Sequence, residues 1–283
     1  MDQYGSDALG RDTAALAKSS GDLLSAVAEA RPLVQSITNF VSMDIAANAL
    51  LAIGASPAMV HAPEETPEFA RIIDALVINI GTLSKQAADS MDLAAQAALL
   101  NRKPWLIDPV GAGGLTFRND TVARLLKYKP AIIRGNASEI IAVTRILGLT
   151  QNMATPRGVD STSSSLEVES NAIALARHCG CTVAATGDID IVTDGENLVR
   201  IASGTPMMTR VTALGCSLSS VTGAFLAVAK TPFEAAVAAL AVYGVAGEMA
   251  LEQAAGPASF RVAFLDMLYT IRAADIAARL RTI

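Results

Sequence analysis

Pro104-Trp-Leu-Ile-Asp-Pro-Val-Gly-Ala-Gly-Gly114 is a short apolar run that stops at an aspartate, a proline and a cluster of glycines. An apolar run this short, bounded by breakers, reads as a strand buried on both faces rather than as a helix. The same unit recurs on either side. Upstream, Ala75-Leu-Val-Ile-Asn-Ile80 ends in Gly81-Thr82 and is followed by a helical pattern over 85–101. Downstream, a helix near 121–127 precedes Ala131-Ile-Ile-Arg134, which runs into Gly135-Asn-Ala-Ser-Glu139 and another helix. Short strands alternating with helices predict an α/β protein whose largely parallel sheet is covered on both faces.

The pattern extends to both ends of the chain. A helix over 22–30 stops before Pro32, Leu33-Val-Gln-Ser-Ile37 is a strand, and a helix over 40–53 ends at Gly54. Pro57-Ala-Met-Val60 follows as a strand and His61 opens a loop. Residues 150–165, rich in Gly, Pro and Ser, carry no periodicity and read as a surface loop or flap. A helix over 166–179 leads into Thr182-Val-Ala-Ala-Thr186, and Asp190-Ile-Val-Thr-Asp-Gly195 with Leu198-Val-Arg-Ile201 forms a hairpin. Helices over 214–229, 232–253 and about 258–279 finish the chain. Residues 1–20 are polar and Gly/Ser-punctuated, so a partly disordered N-terminal extension is expected there. No later stretch is a linker, so 21–283 reads as one domain.

Hydrophobic residues make up 52% of the 283 residues and charged residues 17%. That is less charge than the roughly 25% of ordinary domains, and a mean hydropathy of +0.40 leaves apolar surface for an oligomer to cover. A net charge of −5 without basic runs argues against nucleic acid. The opening residues lack the basic and apolar regions of a secretory signal. The most apolar run, 235–247, is too short to cross a bilayer, so no membrane role is expected. Cys179, Cys181 and Cys216 with two histidines are too few for a disulfide framework or structural zinc, and a reducing cytoplasm follows.

Polar and glycine clusters fall at the carboxyl ends of successive strands, where open α/β sheets bind ligands. They are Thr38-Asn39, Gly81-Thr82, 108–114, 134–139, Thr186-Gly187 and 212–216. Six at equivalent places point to one active site. Asp108 at a strand end suits magnesium or a general base, or simply caps the next turn. Asn136 and Glu139, three apart at a helix start, share a face and suit either a hydrated magnesium or a capping pair. Arg134 can grip phosphate oxygens in a fork, and Thr186-Gly187 offers a hydroxyl and close backbone to a nucleotide. The helix beginning near Leu214 presents unpaired N–H groups and its positive dipole end, an anion site. Cys216 in its first turn is then expected to lean towards thiolate, or else to be a core cysteine. His61 and His178 read as structural, and Cys179-Gly-Cys181 as core. Phosphate-loop and dinucleotide motifs are absent from the sequence.

The segments Ser36-Ile-Thr-Asn-Phe-Val-Ser-Met43, Gly54-Ala-Ser-Pro-Ala-Met59, Asn79-Ile-Gly-Thr82 and Asp108-Pro-Val-Gly-Ala-Gly113 resemble hydroxyethylthiazole kinase. So do Arg134-Gly-Asn-Ala-Ser-Glu139, Gly158-Val-Asp-Ser161, Asp190-Ile-Val-Thr-Asp-Gly195 and Gly256-Pro-Ala-Ser-Phe260, in order from about 22 to 275. The resemblance implies a ribokinase-like fold and transfer of the ATP γ-phosphate to 4-methyl-5-(2-hydroxyethyl)thiazole, salvaging the thiazole half of thiamine. It implies Met43, Ala213 and Asn39 at the substrate, Arg134 and Thr186 at ATP, and Asp108 and Glu139 at Mg2+. Cys216 would stand where related sugar kinases carry a base aspartate, orienting the hydroxyl and accepting its proton late. The resemblance also implies a homotrimer with the site between subunits. One loop departs from it, at two positions: it usually reads Gly-Thr-Gly-Cys, and here it is Ala213-Leu214-Gly-Cys216. Alternatives are a kinase for another heterocyclic alcohol such as hydroxymethylpyrimidine, or a weakly active paralogue that serves as a ligand sensor.

Overall fold

The computed structural model describes residues 12–149 and 161–283. Its strands are β1 (Leu33–Ile37), β2 (Ser56–Ala58), β3 (Ala75–Asn79), β4 (Trp105–Asp108), β5 (Ile132–Asn136), β6 (Thr182–Thr186), β7 (Asp190–Thr193) and β8 (Leu198–Ile201). They form one sheet in the order β2-β1-β3-β4-β5-β6-β7-β8. Pairing is parallel from β2 to β6, and β7 and β8 join antiparallel as the expected hairpin. Because β2 lies outside β1 while the chain continues on β3, the order reverses between β1 and β3. Such a switch point opens a crevice at the carboxyl ends of those strands.

Alternate residues of each strand enter two separate cores, the period of two that a pleated strand imposes. Val34, Val77, Leu106, Ile132 and Ala184 face one core, and Leu76, Ile78, Trp105, Ile107, Ile133 and Val183 the other. The first core is closed by α1 (Thr13–Ala30), α2 (Met43–Ala52), α8 (Leu214–Val228), α9 (Pro232–Leu251), α10 (Pro257–Thr270) and α11 (Ala273–Arg279). The second lies under α3 (Thr66–Phe69), α4 (Lys85–Leu100), α5 (Thr116–Leu125), α6 (Ala137–Ile146) and α7 (Ser161–Cys179). Each buried Val, Leu, Ile or Phe contributes about 1.5–3 kcal/mol, so the two covers hold the strand ends in register.

Several boundaries differ from the sequence reading. α1 begins at Thr13, capped by the Asp12 carboxylate on Ala14 N–H, so residues 13–20 are helix rather than extension; residues 1–11 lie outside the described residues. Of the expected flap, 150–160 also lies outside them, and from Ser161 the chain is already α7. α2 starts at Met43 rather than residue 40, because the Asn39 side-chain oxygen accepts from Val41 and Ser42 N–H and holds them in a turn. α5 starts at Thr116, ahead of the expected 121, its first turn made polar by residues that tie down the preceding loop. The last helix is two: Ile271 turns inward, 2% exposed, and Asp275 accepts from Arg272 N–H to start α11. α9 runs for 20 residues and is long and apolar enough to cross a bilayer, so length is not what argues against that role. It is the central helix of its core, packed on α1, α8 and α10.

Candidate active site

The carboxyl ends of β1, β3, β4 and β5 meet the first turns of α8 in a buried polar cluster. Asp108, the last residue of β4, is 1% exposed. Its Oδ2 accepts from Asn79 Nδ2 at 2.7 Å and from Ser219 Oγ at 2.7 Å, with Arg134 Nη1 at 3.8 Å. Its Oδ1 is buried with no hydrogen-bond partner. Asn39 Nδ2 donates to Asn79 Oδ1 at 2.9 Å and to the Cys216 sulfur at 3.2 Å. One hydrogen-bonded path therefore runs from Asp108 through Asn79 and Asn39 to Cys216.

Arg134, on β5, donates to Gly215 O at 2.8 Å and to Thr186 Oγ1 at 2.7 Å. Those bonds hold the guanidinium at the edge of a cavity of about 560 Å³ that Arg134 helps to line. Thr186, Asn136, Asp190, Ala213, Leu214 and Tyr243 are among its other lining residues. Glu139 and Asn136 form a capping box at the start of α6: Asn136 Oδ1 accepts from Glu139 N–H, and Glu139 Oε2 from Asn136 N–H. Glu139 Oε1 also accepts from Gly111 N–H at 3.0 Å, which ties the glycine loop after β4 to α6.

Charge in the cluster is set by burial. Burial pushes the Asp108 carboxyl up to about 6, against the pull of Arg134; the negative charge of Glu139 adds to the rise. Asp190 is likewise raised to about 6 by burial, opposed by Gly187 N–H and Arg134. The Cys216 thiol also lies above its usual range, through burial and then the charge of Asp108, with donation from Asn39 and Asn79 pulling the other way. The helix dipole was expected to lower that pKa. Here desolvation outweighs a terminal half-charge that helps by a kcal/mol or so.

Of the residues singled out in the sequence, Arg134, Thr186 and Ala213 line the cavity, and Asp108, Asn39 and Cys216 form the hydrogen-bonded cluster beside it. Glu139 joins them through its charge on Asp108. Met43 stands apart, half-buried at the first position of α2. Sequence reasoning passed over three residues. Asn79 and Ser219 are fully buried, inside runs that read as apolar strand and small-residue helix. Arg118 donates to Ile80 O and Val110 O and fixes the loop after β4. The signals for Asn79 were a polar residue inside the run Ala75-Leu-Val-Ile-Asn-Ile80 and its place at the head of the resembling segment Asn79-Ile-Gly-Thr82. His61 keeps the structural place expected of it: Nε2 accepts from Thr38 N–H and Nδ1 donates to Met59 O.

A family model described as the hydroxyethylthiazole kinase family matches residues 24–274. A hydroxyethylthiazole kinase of Rhizobium etli is 53% identical over 260 residues, 92% of this chain and 98% of that protein. The solved structure of the hydroxyethylthiazole kinase from Pyrococcus horikoshii superposes with a TM-score of 0.86 at 39% identity, covering 94% of this chain and 99% of that one. Pyridoxal kinase of Staphylococcus aureus, at 16% identity and a TM-score of 0.56, over 77% of this chain and 88% of its own, shares the fold alone.

Proposed function

The chain belongs to the hydroxyethylthiazole kinase family; it phosphorylates the hydroxyethyl group of 4-methyl-5-(2-hydroxyethyl)thiazole in thiamine salvage, and we propose how its residues divide that work. ATP is the phosphoryl donor, and the cavity beside Arg134 and Thr186 is its seat. Phosphoryl transfer asks a protein for positioning and charge neutralisation more than for covalent chemistry. Arg134 and the free N–H groups at the start of α8 supply positive potential to the phosphates. Cys216 orients the acceptor hydroxyl. With its pKa raised, the thiol is mostly protonated at rest and hydrogen-bonds the hydroxyl; only the minor thiolate form, its own proton already released to solvent, takes the substrate proton as the O–P bond forms.

Asp108 and Glu139 are our choice for holding Mg2+. Among the described residues, no three of His, Cys, Asp and Glu form a cage for a metal. Magnesium is commonly carried by one or two carboxylates plus substrate phosphates and water. The unpartnered, buried Oδ1 of Asp108 fits that mode. Glu139 spends both oxygens on backbone donors and would act through water. The ion would neutralise charge on the nucleotide.

We place Asn39, Ala213 and Met43 around the thiazole, Met43 reaching it from a neighbouring subunit of a homotrimer. Phe40 and Val41, 76% and 58% exposed beside Asn39, support a covered face there. The unpaired cysteines support a cytoplasmic setting, and the continuous eight-stranded sheet supports one domain, extended at its start to Thr13. The observation that carries this division of labour is the Cys216 thiol on the first turn of α8, wired by side chains to the Asp108–Arg134 pair. Cys216→Ala should lower kcat by about 10²-fold or more with the KM for ATP little changed. A steady-state assay on the thiazole alcohol that returns wild-type kcat would remove the thiol from the chemistry.

A further inference from the structure

Asn79 ends β3 in register with Asp108 on β4 and is fully buried. Its orientation, and that of Asn39, follow from the main chain. Asn39 Oδ1 receives the N–H groups of Val41 and Ser42 at 3.1 Å each, so its amide nitrogen must point the other way. The two hydrogens on that nitrogen go to Asn79 Oδ1 and to the Cys216 sulfur. Asn79 Oδ1 also receives Gly81 N–H at 2.9 Å, which leaves its own nitrogen to donate to Asp108 Oδ2 and to present its second hydrogen to the Cys216 sulfur. Both amides are thus oriented by backbone N–H groups that cannot reverse. Buried hydrogen-bonded networks hold their satisfied members rigidly, and the one open atom on this path is Asp108 Oδ1.

We propose that Asn79 is a positioning residue for phosphoryl transfer: through Asn39 it holds the Cys216 sulfur as a hydrogen-bond acceptor, and with Ser219 it clamps one oxygen of Asp108, so that thiol and carboxylate keep a fixed separation. The proposal rests on the assignment of Cys216 and Asp108 to the reacting centre. An aspartate at position 79 could accept from Asn39 and Gly81 but would set a second carboxylate against Asp108. A leucine of similar size would leave Asn39 and Gly81 N–H without an acceptor. An amide is the group that serves both sides at once. Donation to a sulfur also favours thiolate over thiol, so losing Asn39's aim should make Cys216 less nucleophilic.

The test is Asn79→Ser in the full chain. Serine can keep the turn bond to Gly81 N–H but is too short to bridge Asn39 and Asp108. Three readouts are compared with wild type: kcat and KM, the thermal midpoint, and iodoacetamide alkylation of each cysteine at pH 8 followed by peptide mass spectrometry. The expected result is kcat lower by about 10²-fold, as misplacements of about 1 Å produce, with the KM for the alcohol changed by less than about threefold. Alkylation of Cys216 should be several-fold slower while buried Cys181 is unchanged. A merely structural role predicts the reverse, faster alkylation at both sites as the fold loosens, and that result overturns the proposal. So does an unchanged kcat. If Asn79→Ser is insoluble, Asn39→Asp keeps the two backbone bonds at Oδ1 and removes both donors; wild-type kcat and Cys216 alkylation there are equally fatal. Cys216→Ala separates the two levels. Retained kcat in that variant sinks the thiol assignment, whereas lost kcat there beside normal Asn79→Ser sinks the positioning role alone.

Discussion

Ala213 enters α8 with φ 64° and ψ 8°, the left-handed region, as the residue before the first helical turn. A residue with a Cβ costs about 1–2 kcal/mol there, and a glycine would not. The neighbour Leu214 is 3% exposed and its carbonyl accepts from the Tyr243 hydroxyl at 2.8 Å, so the apolar side chain is absorbed into core. Ala213→Gly should stabilise the protein by about 0.5–1 kcal/mol, the strain relieved less the entropy that glycine returns to the unfolded chain. Denaturant midpoints check this. Ala213→Gly with Leu214→Thr should raise kcat/KM on the thiazole alcohol, and an unchanged or lower value means the loop is compensated elsewhere. Asp108 is strained in another way. Its folded-state pKa of about 6 exceeds the ordinary 3.8, so the folded protein binds that proton more tightly than the unfolded chain. Stability is therefore gained as pH falls through 6 towards 4, and the cost of the buried charge is fully present above 6. Asp108→Asn should remove this titration, so its thermal midpoint in magnesium-free buffer should vary less between pH 5.5 and 8 than wild type's, with Asp190 still contributing, while kcat falls by more than about 10²-fold.

α8 presses its small residues on the sheet, and one of them sets how close the helix lies. A Cβ on Gly223 would stand 2.5 Å from Val77 Cγ2 and 3.2 Å from Val34 Cγ1. Gly223→Ala must therefore lift α8 from β1 and β3, with an overpacking cost of about 1–3 kcal/mol. It should also lower kcat, because Ser219 and Cys216 ride on the same helix; a differential scan and an assay on one preparation read both. The sequence signal for such close packing is the set of small residues Gly215, Ser217, Ser219, Ser220, Gly223 and Ala224 on this helix. The strands were legible too, because a parallel sheet buries both faces and leaves runs such as Ala75-Leu-Val-Ile. What escaped was polar sequence doing helical work. Ser19-Ser-Gly21 reads as a breaker, yet Ser20 Oγ bonds back to Leu16 O. Gly21 lies where a Cβ would meet that of Ala273 at 2.6 Å, a contact some 250 residues away in sequence that no local pattern can announce. The site divided the same way. Asp108, Arg134 and Thr186 stood out as polar residues ending apolar runs, whereas Asn79 and Ser219 matter only through what they meet across the fold.

At the scale of the whole molecule, part of the exposed apolar surface lies where the site opens. Phe40 and Val41 follow β1 at 76% and 58% exposure, and Leu115 and Phe117 follow β4 at 62% and 47%. Both segments leave carboxyl ends of the sheet, so the exposed apolar groups and the polar cluster share one end of the fold. Large exposed apolar groups at a cleft rim mark a surface that is covered in use. A chain with 17% charged residues has little else with which to keep such a face in water. If a neighbouring subunit covers it, the Phe40→Asp, Val41→Asp double variant should fall to monomer in light scattering and lose most of its activity. Loss of activity alone would not separate a shared site from a damaged one, so a complementation test is needed. Cys216→Ala subunits keep Met43, and Met43→Asp subunits keep Cys216. Each homo-oligomer should be nearly inactive. In a closed ring whose sites lie between unlike faces, random mixing of the two pairs an intact Met43 with an intact Cys216 at roughly a quarter of the interfaces. Activity should therefore reappear on mixing and refolding together. A mixture no better than its components, or a wild-type monomer active at assay concentration, would confine the site to one chain and leave Phe40 and Val41 without a partner.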